Sequence, residues 1–213
     1  SDFVLPIIAG KEVAVASTKA FNACNLACIY IANLVKDKNF DANNIEINYN
    51  EITRILSSNF EEIFANELIK YKSIFFIGKC EDYIIAMESS LKLKEITYIN
   101  SSAYQSGELK HGTLALISPD TLVIAILTNK LYTEKILSSI SEIKARGGKV
   151  FLITNQNIDK NLVDYLYRLN EDNSVNSILY TVIPMQKISY FTALLLNRNP
   201  DKPRNLAKSV TVA

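Results

Sequence analysis

Four short apolar runs mark the chain from residue 73 onward: Ser73 to Gly78, Leu122 to Leu127, Val150 to Thr154 and Ser177 to Val182. Each has the length and the branched or aromatic content of a strand buried on both faces. Between and after them the apolar positions recur at three- and four-residue spacing. That spacing predicts helices over about Asp82 to Thr97, Glu108 to Leu116, Tyr132 to Ala145 and Met185 to Leu196. Strand alternating with helix implies a parallel sheet covered on both faces, an α/β fold. The punctuation agrees, with Gly147 and Gly148 stopping a helix before the next strand and Pro184 at a favoured first helical position.

Upstream the pattern changes to two long helical stretches, about Thr18 to Val35 and Asn50 to Lys70, joined by a polar Asp- and Asn-rich segment. Helices with no strands before them do not complete an α/β domain. Residues 1–45 are therefore read as the end of a preceding domain, residues 46–198 as one α/β module, and residues 199–213 as an aperiodic tail with two prolines.

Composition narrows the function classes. With 23 basic and 22 acidic side chains the formal charge is +1, and there is no polybasic run, which argues against nucleic acid or an anionic membrane as partner. The apolar stretch from Ala23 to Val35 is too short to span a bilayer and is interrupted by Asn25 and Asn33, and no signal-peptide progression is present. A soluble cytoplasmic protein is expected. Cys24, Cys28 and Cys80 form neither a disulfide framework nor a paired zinc spacing. Cys24 and Cys28 stand at i and i+4, the spacing of a metal pair or redox switch, but without a third ligand nearby they read as small core hydrophobes. No metal or cofactor is implied.

The candidate chemistry sits between Met87 and Ile117. Glu88, Lys92 and Glu95 recur at i, i+4 and i+7, within about 60° of one another at 100° per residue. They are bracketed by Ile84 and Leu91 on one side and Ile85 and Ile96 on the other, so the charged stripe interrupts the apolar face. Ser90, Lys94 and Thr97 fall opposite and are expected to meet solvent. Downstream lies the chain's single histidine, His111. Carboxylate, amine and imidazole in a partly buried site suit proton transfer; a plain Glu88–Lys92 surface pair, worth a few tenths of a kcal/mol, is the ordinary alternative. Ser17, Thr18 and Lys19 open a helix, where they suit either an anion or N-terminal capping.

Four ordered motifs carry a resemblance: VASTKAF at Val15 to Phe21, SLKLKEITYI at Ser90 to Ile99, AYQSGELKHG at Ala103 to Gly112, and PRNLAKSVTV at Pro203 to Val212. Together they resemble the isomerase portion of the glutamine:fructose-6-phosphate amidotransferases, the glucosamine-6-phosphate synthases, from about Gly10 to Val212. The resemblance implies a three-layer α/β/α sugar-isomerase (SIS) module with a flavodoxin-like parallel sheet, the second of two, preceded by a remnant of the first. It implies fructose 6-phosphate and glucosamine 6-phosphate as substrate and product, with ammonia delivered by a glutaminase domain.

The same resemblance assigns roles. Lys208 would condense with the ketone, Glu95 would move a proton between C1 and C2, and His111 would open the sugar ring from a neighbouring subunit, which requires at least a homodimer. Val15 and Ala207 would line the sugar pocket through their backbones, Glu88 and Lys92 would share the active-site helix, and Ser17 would contact the substrate. Two departures stand out. Ser1 occupies the start where the family has a cysteine nucleophile, and the phosphate-holding loops belong to the first module, so the chain alone is expected to be catalytically incomplete. A related phosphosugar isomerase or deglycase, and a noncatalytic sugar-phosphate sensor, are the competing readings.

Overall fold

A strand reads as a continuous apolar run only when both of its faces are covered, and three of the four runs meet that condition. The structure is a computed structural model describing residues 2, 4–170 and 174–208, with the backbone alone for 174–176. Five strands, β1 (Ser73–Gly78), β2 (Ser101–Gln105), β3 (Thr121–Leu127), β4 (Lys149–Thr154) and β5 (Tyr165–Arg168), form one sheet in the order β2-β1-β3-β4-β5. All neighbouring pairs are parallel, which is the flavodoxin-like order. Among the described residues six α-helices accompany it: α1 (Lys19–Lys36), α2 (Tyr49–Ser57), α3 (Phe60–Leu68), α4 (Glu81–Thr97), α5 (Thr133–Lys144) and α6 (Ser174–Leu195).

Alternate strand residues serve two cores. Ile74, Phe76, Ile124, Ile126, Phe151 and Ile153 pack with residues of α2, α3, α4 and α6, whereas Phe75, Ile77, Val123, Ala125, Val150 and Leu152 pack with residues of α5 and the loop before β3. The result is the three-layer α/β/α sandwich expected from the pattern.

The fourth apolar run, Ser177 to Val182, is not a strand; it lies inside α6, and Pro184 stands within that helix instead of opening it. A helix packed against α1, α2, α3 and α4 is apolar almost all round and shows no helical period to read. Ser177–Leu195 is also long and apolar enough to cross a membrane by length and composition, a better match than Ala23 to Val35. With 61% of it buried inside the protein, it is a core helix. The two strands that the pattern missed, β2 and β5, are the sheet edges, short and only partly buried.

Three other expectations are corrected. The stretch Asn50 to Lys70 is two helices, parted where Lys187 Nζ donates to the carbonyls of Ile55 (2.7 Å), Leu56 (3.1 Å) and Ser58 (2.7 Å) and so closes α2. Glu108 to Leu116 is not one helix but two 3-10 segments, Ser106–His111 and Thr113–Leu116, parted at Gly112 with φ 145°. Cys24 and Cys28 are exposed rather than core residues. They share a stripe with the exposed Ile31 and Val35, on the side of α1 away from Leu26 and Ile29, which pack on the core.

The turn from β1 into α4 is too tight for a side chain at Gly78, where a Cβ would lie 2.4 Å from the carbonyl carbon and oxygen of Asp82. Gly78→Ala should therefore cost about 1–3 kcal/mol by overpacking. Urea unfolding checks this through a lowered midpoint.

Candidate active site

Helix α4 is held by polar ties along its length, and these fix where its charged stripe stands. In its first turn the buried Asp82 accepts from Thr128 Oγ1 (2.5 Å) and Thr128 N (2.9 Å) at the end of β3. Burial pushes the Asp82 carboxyl up, against the pull of the Thr128 and Asn129 donors. Midway, Ser101 Oγ on β2 donates to the Ser90 carbonyl at 2.9 Å. Near the end, Thr97 Oγ1 donates to the Leu93 carbonyl at 2.6 Å, and Tyr98 stops the helix in the left-handed region at φ 62°. Ser90 and Thr97 are thus buried, not solvent-facing as the helical wheel suggested. Lys94, the third residue of that group, is exposed as expected; the sheet covers the part of that side where Ser90 and Thr97 lie, and there it admits small hydroxyls that bond to backbone.

The stripe itself is almost dry. Lys92, with 5% of its side chain exposed, places Nζ 2.6 Å from Glu95 Oε2 and 3.5 Å from Glu88 Oε1. The second contact is an ion pair without a hydrogen bond, since Glu88 Oε1 is buried and has no hydrogen-bond partner among the described residues. Burial pushes the Glu88 carboxyl up, the Lys92 charge opposes the rise, and Glu95 adds to it. A buried ammonium between two carboxylates is costly to assemble and costlier to break.

Lys92 also forms part of the wall of a cavity of about 260 Å³, together with Glu12, Ala14, Lys19, Gln186 and Tyr190. Gln186 Nε2 is buried there with no partner among the described residues, an amide donor left for a ligand. On the rim, Lys208 Nζ donates to the Ala14 carbonyl at 2.9 Å and to Glu12 Oε2 at 3.2 Å. Glu12 in turn accepts from Ser17 Oγ (2.8 Å) and Thr18 N (2.8 Å). The start of α1 therefore does receive an anion, but it is the protein's own Glu12, and Thr18 makes no side-chain cap. Burial raises the Glu12 carboxyl, but the donors Thr18, Ser17, Lys208 and Ala20 outweigh it and bring it down to about 2.

The residues singled out from the sequence thus fall into three places. Glu88, Lys92 and Glu95 meet on α4. Ser17 and Lys208 meet at Glu12, with Val15 beside them, its N–H donating to the Asp201 carbonyl at 3.3 Å, and Ala207 exposed in the tail. His111 is exposed on its 3-10 segment and does not line the cavity. The end of the fourth motif, residues 209–212, lies outside the described residues. Sequence reading missed Glu12, Gln186 and Tyr98. The Tyr98 hydroxyl accepts from Arg204 N at 2.8 Å, and Arg204 and Arg198 lie over its ring at 4.3 and 5.1 Å, which ties the tail to the end of α4. The only available signal was for Gln186, a polar residue inside an apolar helix. A larger hollow of about 410 Å³ at the ends of β1 and β2, near Lys79, Lys110 and Lys135, contains none of the singled-out residues.

A parallel α/β/α sandwich carrying a buried acid–amine–acid cluster beside a cavity is an arrangement suited to proton transfer. Residues 67–195 match the family model described as SIS domain, and the chain belongs to that family. Over its whole length the chain is 44% identical to the glutamine–fructose-6-phosphate aminotransferase (isomerizing) of Caldanaerobacter subterraneus subsp. tengcongensis, of which it spans 37%. Among solved structures it is similar to the C-terminal domain of glucosamine-fructose-6-phosphate aminotransferase from Francisella tularensis. That match has a TM-score of 0.74 and 29% identity, over 91% of this chain and 58% of that one. A putative tagatose-6-phosphate ketose/aldose isomerase from Clostridium novyi shares the fold, with a TM-score of 0.81 and 22% identity over 94% of this chain and 55% of that one.

The raised Glu88 carboxyl predicts a pH dependence. A carboxyl whose folded-state pKa exceeds the unfolded value contributes stability fully below about 4.5 and loses it as pH rises through the raised value. Glu88→Gln should therefore shrink the loss of stability between about pH 4 and about pH 7. Urea midpoints measured at both pH values check this.

Proposed function

We propose that this chain is the second SIS module of a glucosamine-6-phosphate synthase, residues 46–198, with the end of the first module at 1–45 and a working tail at 199–213. The reading assigns it a part in turning fructose 6-phosphate and ammonia into glucosamine 6-phosphate in the cytoplasm. One observation carries it. The amine of Lys208 is held to Glu12 and Ala14, which line a cavity that Lys92 also lines, and Lys92 is bound to two carboxylates. A nucleophilic amine at the same cavity as an acid–base cluster is what ketose amination needs.

The chemistry follows from those groups. The open-chain sugar presents a ketone at C2, which Lys208 converts to an imine with loss of water; ammonia then displaces the lysine. The resulting C2 iminium acidifies the C1 proton, which Glu95 takes and delivers to C2, while the C1 hydroxyl proton is lost to solvent, leaving an aldehyde at C1 and an amine at C2. Lys92 keeps Glu95 in place, and Glu88 balances the buried ammonium. His111, exposed and away from the cavity of its own chain, serves the ring-opening step on a partner subunit in a homodimer. Val15 and Ala207 contribute backbone around the sugar, and Gln186 offers it an amide donor. Lys11 and Lys19, which also line the cavity, suit an anionic phosphate ester.

Two measurements on the full-length protein test this reading. Borohydride added with fructose 6-phosphate should fix the sugar's mass on the peptide containing Lys208, and Lys208→Arg should abolish the adduct and synthesis together. An adduct on Lys92 or Lys19 instead would reject the assignment. Glu95→Gln preserves shape but removes the base, so turnover should fall by roughly 10² to 10⁴ with little change in sugar affinity. Steady-state kinetics showing near-normal turnover would make that carboxylate structural.

A further inference from the structure

We infer that Glu12 is the counter-ion of Lys208, holding its nitrogen at the cavity and remaining paired with it through imine formation, a positioning role that rests on the imine reading above. Glu12 lines the cavity, with 11% of its side chain exposed, and its Oε2 lies 3.2 Å from Lys208 Nζ. Ser17 Oγ and Thr18 N hold the carboxylate from behind at 2.8 Å each. The 18-residue helix α1 starts immediately after Thr18 and directs its positive end at the same carboxylate. The neighbouring cation Lys19 is not a rival for Glu12, since its Nζ donates to the Lys11 carbonyl at 2.8 Å. Lys92, which also lines the cavity, is bound to Glu88 and Glu95.

A carboxylate so strongly held in the charged form is no proton acceptor near neutrality. Its action on the lysine is therefore electrostatic. When the ammonium form of Lys208 and the C2 ketone combine, the ketone oxygen and two nitrogen-bound protons leave as water, a C=N bond replaces C=O, and the remaining N–H carries the single positive charge. The charge on Nζ is the same before and after, so one fixed carboxylate matches both states without reorganising. An imine nitrogen that keeps its proton withdraws electrons from the sugar carbons. A neutral imine does this poorly.

The tests use the full-length protein. Limited acetylation followed by peptide mass spectrometry reads the pair directly: Glu12→Gln keeps the acceptor for Thr18 N but removes the charge, and should speed modification of Lys208 severalfold relative to exposed Lys36. In turnover, Glu12→Gln should leave KM for fructose 6-phosphate within about twofold and lower kcat by roughly 10- to 100-fold, with borohydride trapping at Lys208 weakened. Glu12→Asp, which restores charge on a shorter arm, should recover part of kcat. Unchanged acetylation, or a normal kcat in Glu12→Gln, overturns the counter-ion role while leaving the imine reading intact. Absence of any Lys208 adduct in the unsubstituted protein overturns the imine reading and this role with it, and is told apart because the acetylation contrast persists.

Discussion

An ammonium can leave water only if its charge is answered where it comes to rest, and Lys92 is answered twice, by Glu95 and Glu88 on the same helix. Moving such an ion into a protein interior costs several kcal/mol even after relaxation, so the arrangement survives only with its geometry held. The rest of the fold supplies that constraint. Gly78 brings the first turn of α4 against the end of β1, Asp82 fastens it to β3, and Ser101 fastens its middle to β2. The apolar mass of α6 packs alongside, so α4 has little freedom to rotate and expose the stripe.

The parts of this architecture that were legible in the sequence are those governed by full burial. β1, β3 and β4 each pack against both layers, and their apolar runs are unbroken; the parallel α/β/α class followed from them. The same signal misled at Ser177 to Val182, because a helix enclosed by other helices loses its polar face and looks like a central strand. β2 and β5 escaped for the opposite reason, since edge strands such as SSAYQ need no continuous apolar run.

The site divides along similar lines. Glu88, Lys92 and Glu95 were legible because one helix carries all three, and helical spacing is local information. The cavity was not, because its wall joins the segment before α1, α4, α6 and the start of the tail. Glu12 and Lys208 are 196 positions apart, and no local pattern pairs them. Even Ser17 and Thr18, correctly placed at a helix start, gave no hint that the anion awaiting them was six residues upstream of Thr18.

Tyr98 gives this divided site an unusual economy. Its hydroxyl and ring hold Arg204, and Lys208 follows four residues later. Four residues of extended chain reach about 14 Å, so the lysine nitrogen is confined to a small volume around the end of α4. A tether that short gives the amine a local concentration of millimolar order or higher at the cavity mouth. Proximity is thereby supplied by chain length rather than rigidity, and on the imine reading proposed above the lysine swings aside for sugar to enter and returns without diffusing away.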